Sequence, residues 1–262
     1  MDTPARPPGE LHGDAATVVL LREGRAGVEA LLLERPGHRG SFAGAWVFPG
    51  GHVDPGDYRG ETAGRRGRGA AASEGEPDVE AAARRAGVRE TDEETGLRPD
   101  AGELVPLSVW VPPVEAPKRL RTWFFLARSP EGDIALSPDE HVDHRWIAPA
   151  EALERHGRGG MSLVVPTWVT LRGLLGARSV GHALGEAASG ERAVFHSRRI
   201  EEPSGREVIA WAGDAAYDVG PGGSPGGSPG AAAARHRLDI TSLPWVFERS
   251  ATPLLRQHPA DD

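Results

Sequence analysis

Arg89-Glu90-Thr91-Asp92-Glu93-Glu94-Thr95-Gly96-Leu97 packs four acids into nine residues and closes on Gly-Leu. On a helix, side chains three and four apart return to one face. With Glu90 as origin, Glu93 falls at about 300° and Glu94 at about 40°, so three carboxylates share an arc of roughly 100°. Like charges that close repel and raise one another's pKa. A divalent cation reverses the sign, because hard oxygen donors on a rigid scaffold are what Mg²⁺ or Mn²⁺ selects. Arg89 stands four residues before Glu93, where it can orient a carboxylate. Ala83, Ala86 and Gly87 fill the preceding turns on the same side, small enough to admit a loop or a phosphate. Taken alone, the nonapeptide also reads as a solvated acidic helix face.

The residues upstream tip that balance. Ala45–Phe48 is strand-like and breaks at Pro49-Gly50-Gly51, and glycine is what a close backbone approach to a site needs. With FPGG ahead of it, the acidic stretch resembles the box of the Nudix hydrolase superfamily, G-x5-E-x7-R-E-U-x-E-E-x-G-U, where U is aliphatic. Residues 89–97 match its second half and depart only at Thr91, where an aliphatic residue is usual. The first half has two placements. Gly75 fits without a gap, but Ala81 then occupies the glutamate position and no FPGG precedes it. With Gly51 as first glycine, Asp57 fills the acidic position, the arginine would fall at 65, and Arg89 needs 24 inserted residues. The second placement is preferred, since the inserted segment is poor in apolar residues. The resemblance covers roughly residues 14–165.

The resemblance implies hydrolysis of a diphosphate joining a nucleoside to another group. It assigns Glu90, Glu93 and Glu94 to Mg²⁺ or Mn²⁺, the Gly51 carbonyl to the same metals, and Arg89 to orienting Glu90. Glu90 is the first candidate for general base. Glu140, in SPDEHVDHRW, is a further candidate for base or ligand. The ten histidines show no metal-ligand spacing, and His52 reads as structural or substrate-facing. Coenzyme A diphosphatases of the superfamily carry an L-L-T-x-R signature before FPGG. Leu31, Leu32, Arg35, Gly44 and Phe48–Gly51 fall in its register; Leu33 replaces the threonine, Gly40 takes the place of a second arginine, and Arg39 lies one residue early. The expected substrate is CoA or acyl-CoA, with ADP-ribose, nucleotide sugars and dinucleoside polyphosphates as alternatives. Arg35, Arg39, Trp46 and Gly50 are the candidate substrate contacts, Trp46 by stacking on a base, although a strand tryptophan is more often core. The competing class is a non-catalytic Nudix fold that senses a nucleotide; such folds usually lose box acids, and this chain keeps all three second-half glutamates.

These residues need a scaffold, and 262 residues suffice for one large domain with an extension. Ala16–Arg22 and Val28–Arg35 read as a hairpin, and 77–95 as a helix that starts at Pro77 and ends before Gly96. Strands are predicted at 105–111, 121–127 and 144–147, and helices at 149–155, 166–175 and 179–188. A second hairpin is predicted from 193–200 and 207–211. This order predicts an α/β (α+β) Nudix fold, a mixed sheet between helices. The domain is expected at 14–165, after a flexible tail at 1–13 and with a flexible insertion at 58–76. The C-terminal extension is 166–262, with a Gly/Ser/Pro loop at 219–233. It is a candidate pocket cap, homodimer interface or completion of the core.

Composition sets the outer limits. A net charge of −8 argues against bulk nucleic-acid or anionic-membrane binding, and decapping of nucleic acid lacks a basic patch or aromatic platform. The chain has no cysteine, hence no disulfide and no thiolate metal site. No run of about 18 apolar residues occurs, and MDTPARPPGE has no apolar core of a signal peptide. A soluble, unprocessed, cytoplasmic protein is expected. Lys118 is the sole lysine beside 29 arginines, a bias read as coding rather than function.

Overall fold

A computed structural model describes residues 10–25, 27–37, 42–59, 78–217 and 234–250. The expected insertion from residue 60 onward, the loop at 219–233 and the first nine residues of the tail lie outside them, as does Arg39.

The run ATVVLL has no polar alternation, which is the pattern of a strand covered on both faces. It lies in β1 (Gly13–Gly24), which starts three residues before the run itself. Ala16, Val18 and Leu20 point to one apolar cluster, Val19 and Leu21 to another. β2 (Gly27–Glu34) does the same with Leu31 and Leu33 against Ala30 and Leu32. The two form the predicted antiparallel hairpin. Next come β3 (Ala45–Val47), β4 (Gly50–His52), a 3-10 turn at Asp57–Arg59, and helix α1 (Val79–Thr95). β5 (Val105–Val111), β6 (Leu120–Arg128), β7 (Asp143–Ile147), α2 (Pro149–Gly157) and β8 (Ser162–Leu163) come after it. Then come α3 (Val165–Gly173), α4 (Val180–Ser189) and β9 (Ala193–His196).

These strands make one mixed sheet in the order β8-β3-β2-β1-β6-β5-β9, with β4 paired to β1 and β7 to β2. β1 and β6 run parallel over Gly13–Leu21. Helix α1 covers one face through Ala83, Ala86 and Val88; α3 and α4 cover the other through Trp168, Leu171 and Val180. The α+β class read from the sequence is therefore the class observed. One detail is corrected. Ala83, Ala86 and Gly87 admit the sheet, not a loop or phosphate: a β-carbon on Gly87 would stand 3.0 Å from Val18 Cγ2.

The second hairpin is also corrected. The run 193–200 breaks at Ser197. β9 joins the main sheet beside β5, where Phe195 stacks on Trp110 at 3.9 Å and 10°. β10 (Arg198–Glu201) pairs with β11 (Glu207–Ala210) in a separate four-stranded antiparallel sheet completed by β12 (His236–Asp239) and β13 (Val246–Arg249). β-propensity marks the run but not its partner, and the aromatic contact to Trp110 divides it. β12 and β13 have no readable alternation.

That small sheet rests on a buried ion pair. Arg237 donates from Nε to Asp214 Oδ2 at 2.6 Å, and Asp214 also accepts from the amides of Ala216 and His236. Removing one partner of such a pair costs about 3–5 kcal/mol, which an Asp214→Ala urea melt should show. Burial pushes the Asp214 carboxyl up, but the bonds from Arg237 and the two amides win and hold it below its usual value. Its stabilisation is thus complete above the unfolded pKa of about 3.9 and lost as pH falls through the lower folded value. Acid melts should show this loss in the wild type and not in Asp214→Asn.

Candidate active site

α1 is set by its ends. Asp78 caps the start by accepting from Ala81 N at 3.0 Å, and Gly96 takes φ 72° at the end, its amide donating to Asp92 O. Thr91, the departure from the aliphatic pattern, is buried, yet its hydroxyl donates to Gly87 O at 2.7 Å. Bonding back along its own helix leaves no polar atom stranded.

The FPGG turn packs β4 between β1 and α1. Phe48 anchors it edge-on to Phe124, and Pro49 O accepts from Val18 N. Gly50 has φ 152°, and a β-carbon there would stand 2.8 Å from Thr17 Cα and closer still to Ala16 O. Gly51 pairs with Ala16, and a β-carbon on it would lie 2.6 Å from Glu90 Oε1 and nearer to the other carboxylate atoms. One glycine thus makes room for a strand, the next for a carboxylate.

The acids take distinct places. Glu94 is 4% exposed and accepts from Gly50 N at 2.8 Å. Burial pushes its carboxyl up to about 8, against the Gly50 amide, with Glu90 and Glu140 adding to the rise. Glu90 is likewise raised by burial, against Arg89. Glu93 stands at the exposed rim. Arg89 holds the group together: Nη1 donates to Glu90 Oε1 at 2.8 Å and to Glu93 Oε2 at 3.2 Å, while Nη2 donates to His52 O and Asp57 Oδ2, each at 3.0 Å. Asp57, placed in the acidic box position by the split alignment, is a buried partner of Arg89 and accepts from Asp54 N. Arg89→Lys keeps the charge but loses the fork. Activity should fall about 10–100-fold, as when an outer-shell partner of a metal ligand is lost; steady-state rates at saturating Mn²⁺ check this.

A loop hung from the end of α1 brings in the remaining acid. Ala135 N donates to Thr95 O, Ser137 N to Glu94 O, and His141 N to Ser137 O. Ligand atoms of Glu94, Glu140 and His141 consequently lie within 4.8 Å of one another. Glu140 is exposed and His141 buried. The histidine escapes the sequence reading, where its only signal is adjacency to Glu140. Burial and the nearby Arg35 hold the His141 imidazole down at about 4, so it is neutral at ordinary pH.

The remaining candidates take other positions. Arg35 directly follows β2, carries a buried Nε without a hydrogen-bond partner, and acts electrostatically on Glu94 and His141. Trp46 is 6% exposed in the apolar core, with the Arg145 guanidinium 5.5 Å from its ring centroid, so its ring is not laid open to a base. His52 has an exposed side chain and contributes its carbonyl to Arg89. The buried Glu94, repelled by Glu90 and Glu140 and set beside a neutral, unpartnered imidazole, fits a divalent cation, which would satisfy these groups at once.

A split box of acids on α1, an FPGG turn against them and a mixed sheet between helices define a diphosphate-hydrolase class of site. The family model described as NUDIX domain matches residues 11–68 and 69–166, and the chain belongs to this family. It is a Nudix-type pyrophosphate hydrolase. A NUDIX hydrolase from Alicyclobacillus acidocaldarius is 25% identical with a TM-score of 0.58, over 70% of this chain and 99% of that one. A MutT NUDIX hydrolase from Burkholderia pseudomallei is 22% identical (TM-score 0.42; 62% and 97% covered), and a C. elegans Ap4A hydrolase 24% identical (0.38; 61% and 93%). The likeness in shape rests on the first of these three. No curated protein sequence gives a significant match.

Proposed function

We propose that the chain is a Mg²⁺- or Mn²⁺-dependent diphosphatase acting on a nucleoside diphosphate-linked small molecule, with CoA or acyl-CoA as the first substrate to test. The carrying observation is the convergence of Glu90 and Glu94 under the Gly50-Gly51 turn, with Glu140 brought beside Glu94. A cation bound there would supply charge neutralisation at the diphosphate oxygens and a lowered pKa for an attacking water. Glu94 and Glu90 would hold that cation, with Glu93 at the rim, and the Gly51 carbonyl is assigned beside them. Arg89 fixes Glu90, the first candidate for taking the proton from water, and Glu140 is assigned either as a second base or as a further ligand beside Glu94. Arg35, with its unpartnered Nε, is assigned to a phosphate oxygen, the acceptor such a buried donor lacks.

The substrate order comes from Leu31, Leu32, Arg35 and the FPGG register, and ADP-ribose, nucleotide sugars and dinucleoside polyphosphates stand next. Residues 14–165 are assigned as the catalytic domain. Residues 166–262 are assigned as an extension packed on it, since β9 lengthens the main sheet and α4 covers it. A cytoplasmic location is part of the same reading, and no described helix is long and apolar enough to cross a membrane. The test is a panel of CoA, acyl-CoA, ADP-ribose, NADH and diadenosine polyphosphates in Mn²⁺, with products identified. Cleavage at the diphosphate of CoA ahead of the others is expected. Tight nucleotide binding with no cleavage of any member would instead indicate a sensing fold.

A further inference from the structure

His141 is 2% exposed, and neither ring nitrogen has a hydrogen-bond partner. A buried polar group left so forfeits about 1–3 kcal/mol, so an imidazole with only a packing role is normally satisfied. His156 shows the contrast: it is equally buried and its Nε2 also lacks a partner, but its Nδ1 lies 3.1 Å from Met161 O, whereas His141 has neither nitrogen bonded. His141 Nε2 stands 3.7 Å from Glu94 Oε1, too far for a hydrogen bond. Two donors on one ion at about 2.1 Å stand at most about 4.2 Å apart, so that spacing already suits a shared cation. Glu140 completes a set whose ligand atoms lie within 4.8 Å of one another. The backbone bonds from Ser137 to Glu94 and from His141 to Ser137 fix the loop that carries the ring.

Resting on the reading of the site as a divalent-metal centre, we propose that His141 supplies a ring nitrogen to the cation held by Glu94 and Glu140. The centre is then mixed in oxygen and nitrogen. Carboxylates alone suit Mg²⁺, whereas an added imidazole, a donor suited to ions such as Zn²⁺, Fe²⁺ and Ni²⁺, moves the preference from Mg²⁺ toward transition metals. Coordination would satisfy a ring nitrogen that the protein itself leaves without a hydrogen-bond partner.

The test is electron spin-echo spectroscopy of the full chain loaded with Mn²⁺, prepared with ordinary and with ¹⁵N-labelled histidine. An echo modulation from directly bound imidazole ¹⁴N is expected. It should vanish on histidine labelling and in His141→Gln, and persist in His52→Gln. Calorimetry should show Mn²⁺ affinity in His141→Gln reduced at least about tenfold, the loss that even an outer-shell partner's removal produces, with Mg²⁺ affinity nearly unchanged. Should the glutamine variant fail to fold, the isotope effect in the wild type and in His52→Gln still decides. Bound Mn²⁺ with no nitrogen modulation overturns this inference and leaves the diphosphatase reading standing. No Mn²⁺ binding at all overturns both.

Discussion

Glu94→Gln is expected to lower turnover at least about a thousandfold while the protein still folds. The rate effect comes from charge: a metal centre supplies several kcal/mol of transition-state stabilisation, and each 1.4 kcal/mol or so is tenfold. On the proposed reading, glutamine removes the buried charge that would hold the cation. The retained fold comes from the surroundings of Glu94. Its Oε2 accepts from Gly50 N, a bond the glutamine carbonyl can also accept. Burial already drives this carboxyl toward its neutral form, which glutamine imitates in shape. Circular dichroism melts beside single-turnover rates separate the two effects. Full activity in both Glu94→Gln and Glu93→Gln would rule out catalysis by these acids.

Gly51→Ala is expected to cut turnover by about a hundredfold, the effect of displacing a catalytic group by roughly an ångström. The new methyl would occupy the place of the Glu90 carboxylate, and Glu90 would have to leave its bond with Arg89. Gly51 is not among the residues with positive φ, so alanine is tolerated by the backbone itself. Gly50→Ala should behave in the opposite way. Its φ of 152° excludes a side chain, and the backbone of β1 blocks the space. The expected result there is loss of stability of a few kcal/mol, with activity lost only in step with folding. Adjacent glycines in one turn thus separate chemistry from architecture. If melting temperatures fall equally in both variants and rates fall in neither, the assignment of Gly51 is wrong.

The sequence is most legible where periodicity and local chemistry coincide. The helix carrying the acids is readable because Asp78, Gly96 and the spacing of Glu90, Glu93 and Glu94 are all local signals. The doubly buried β1 and β2 are readable from their unbroken apolar runs. What stays hidden depends on contacts distant in sequence. Nothing near Ser197 shows that Phe195 stacks on Trp110, so the break between β9 and β10 could not be placed. Gly87 discloses its size but not its neighbour Val18. Glu140 stands out as an acid, but the bond from Ser137 to the end of α1, which draws it and His141 to Glu94, spans more than forty residues. Trp46 is legible as strand and ambiguous as contact, and its burial under Arg145 becomes visible only once β3 is seated between β2 and β8.

The central claim is that the carboxylates of one helix turn hold a cation against the Gly-Gly turn. Anomalous diffraction from crystals soaked in Mn²⁺ tests it most directly. A manganese peak is expected within bonding distance of Glu94 and Glu90, on the side of Gly51. A strong peak elsewhere, or none while those carboxylates stay turned from one another, would contradict it.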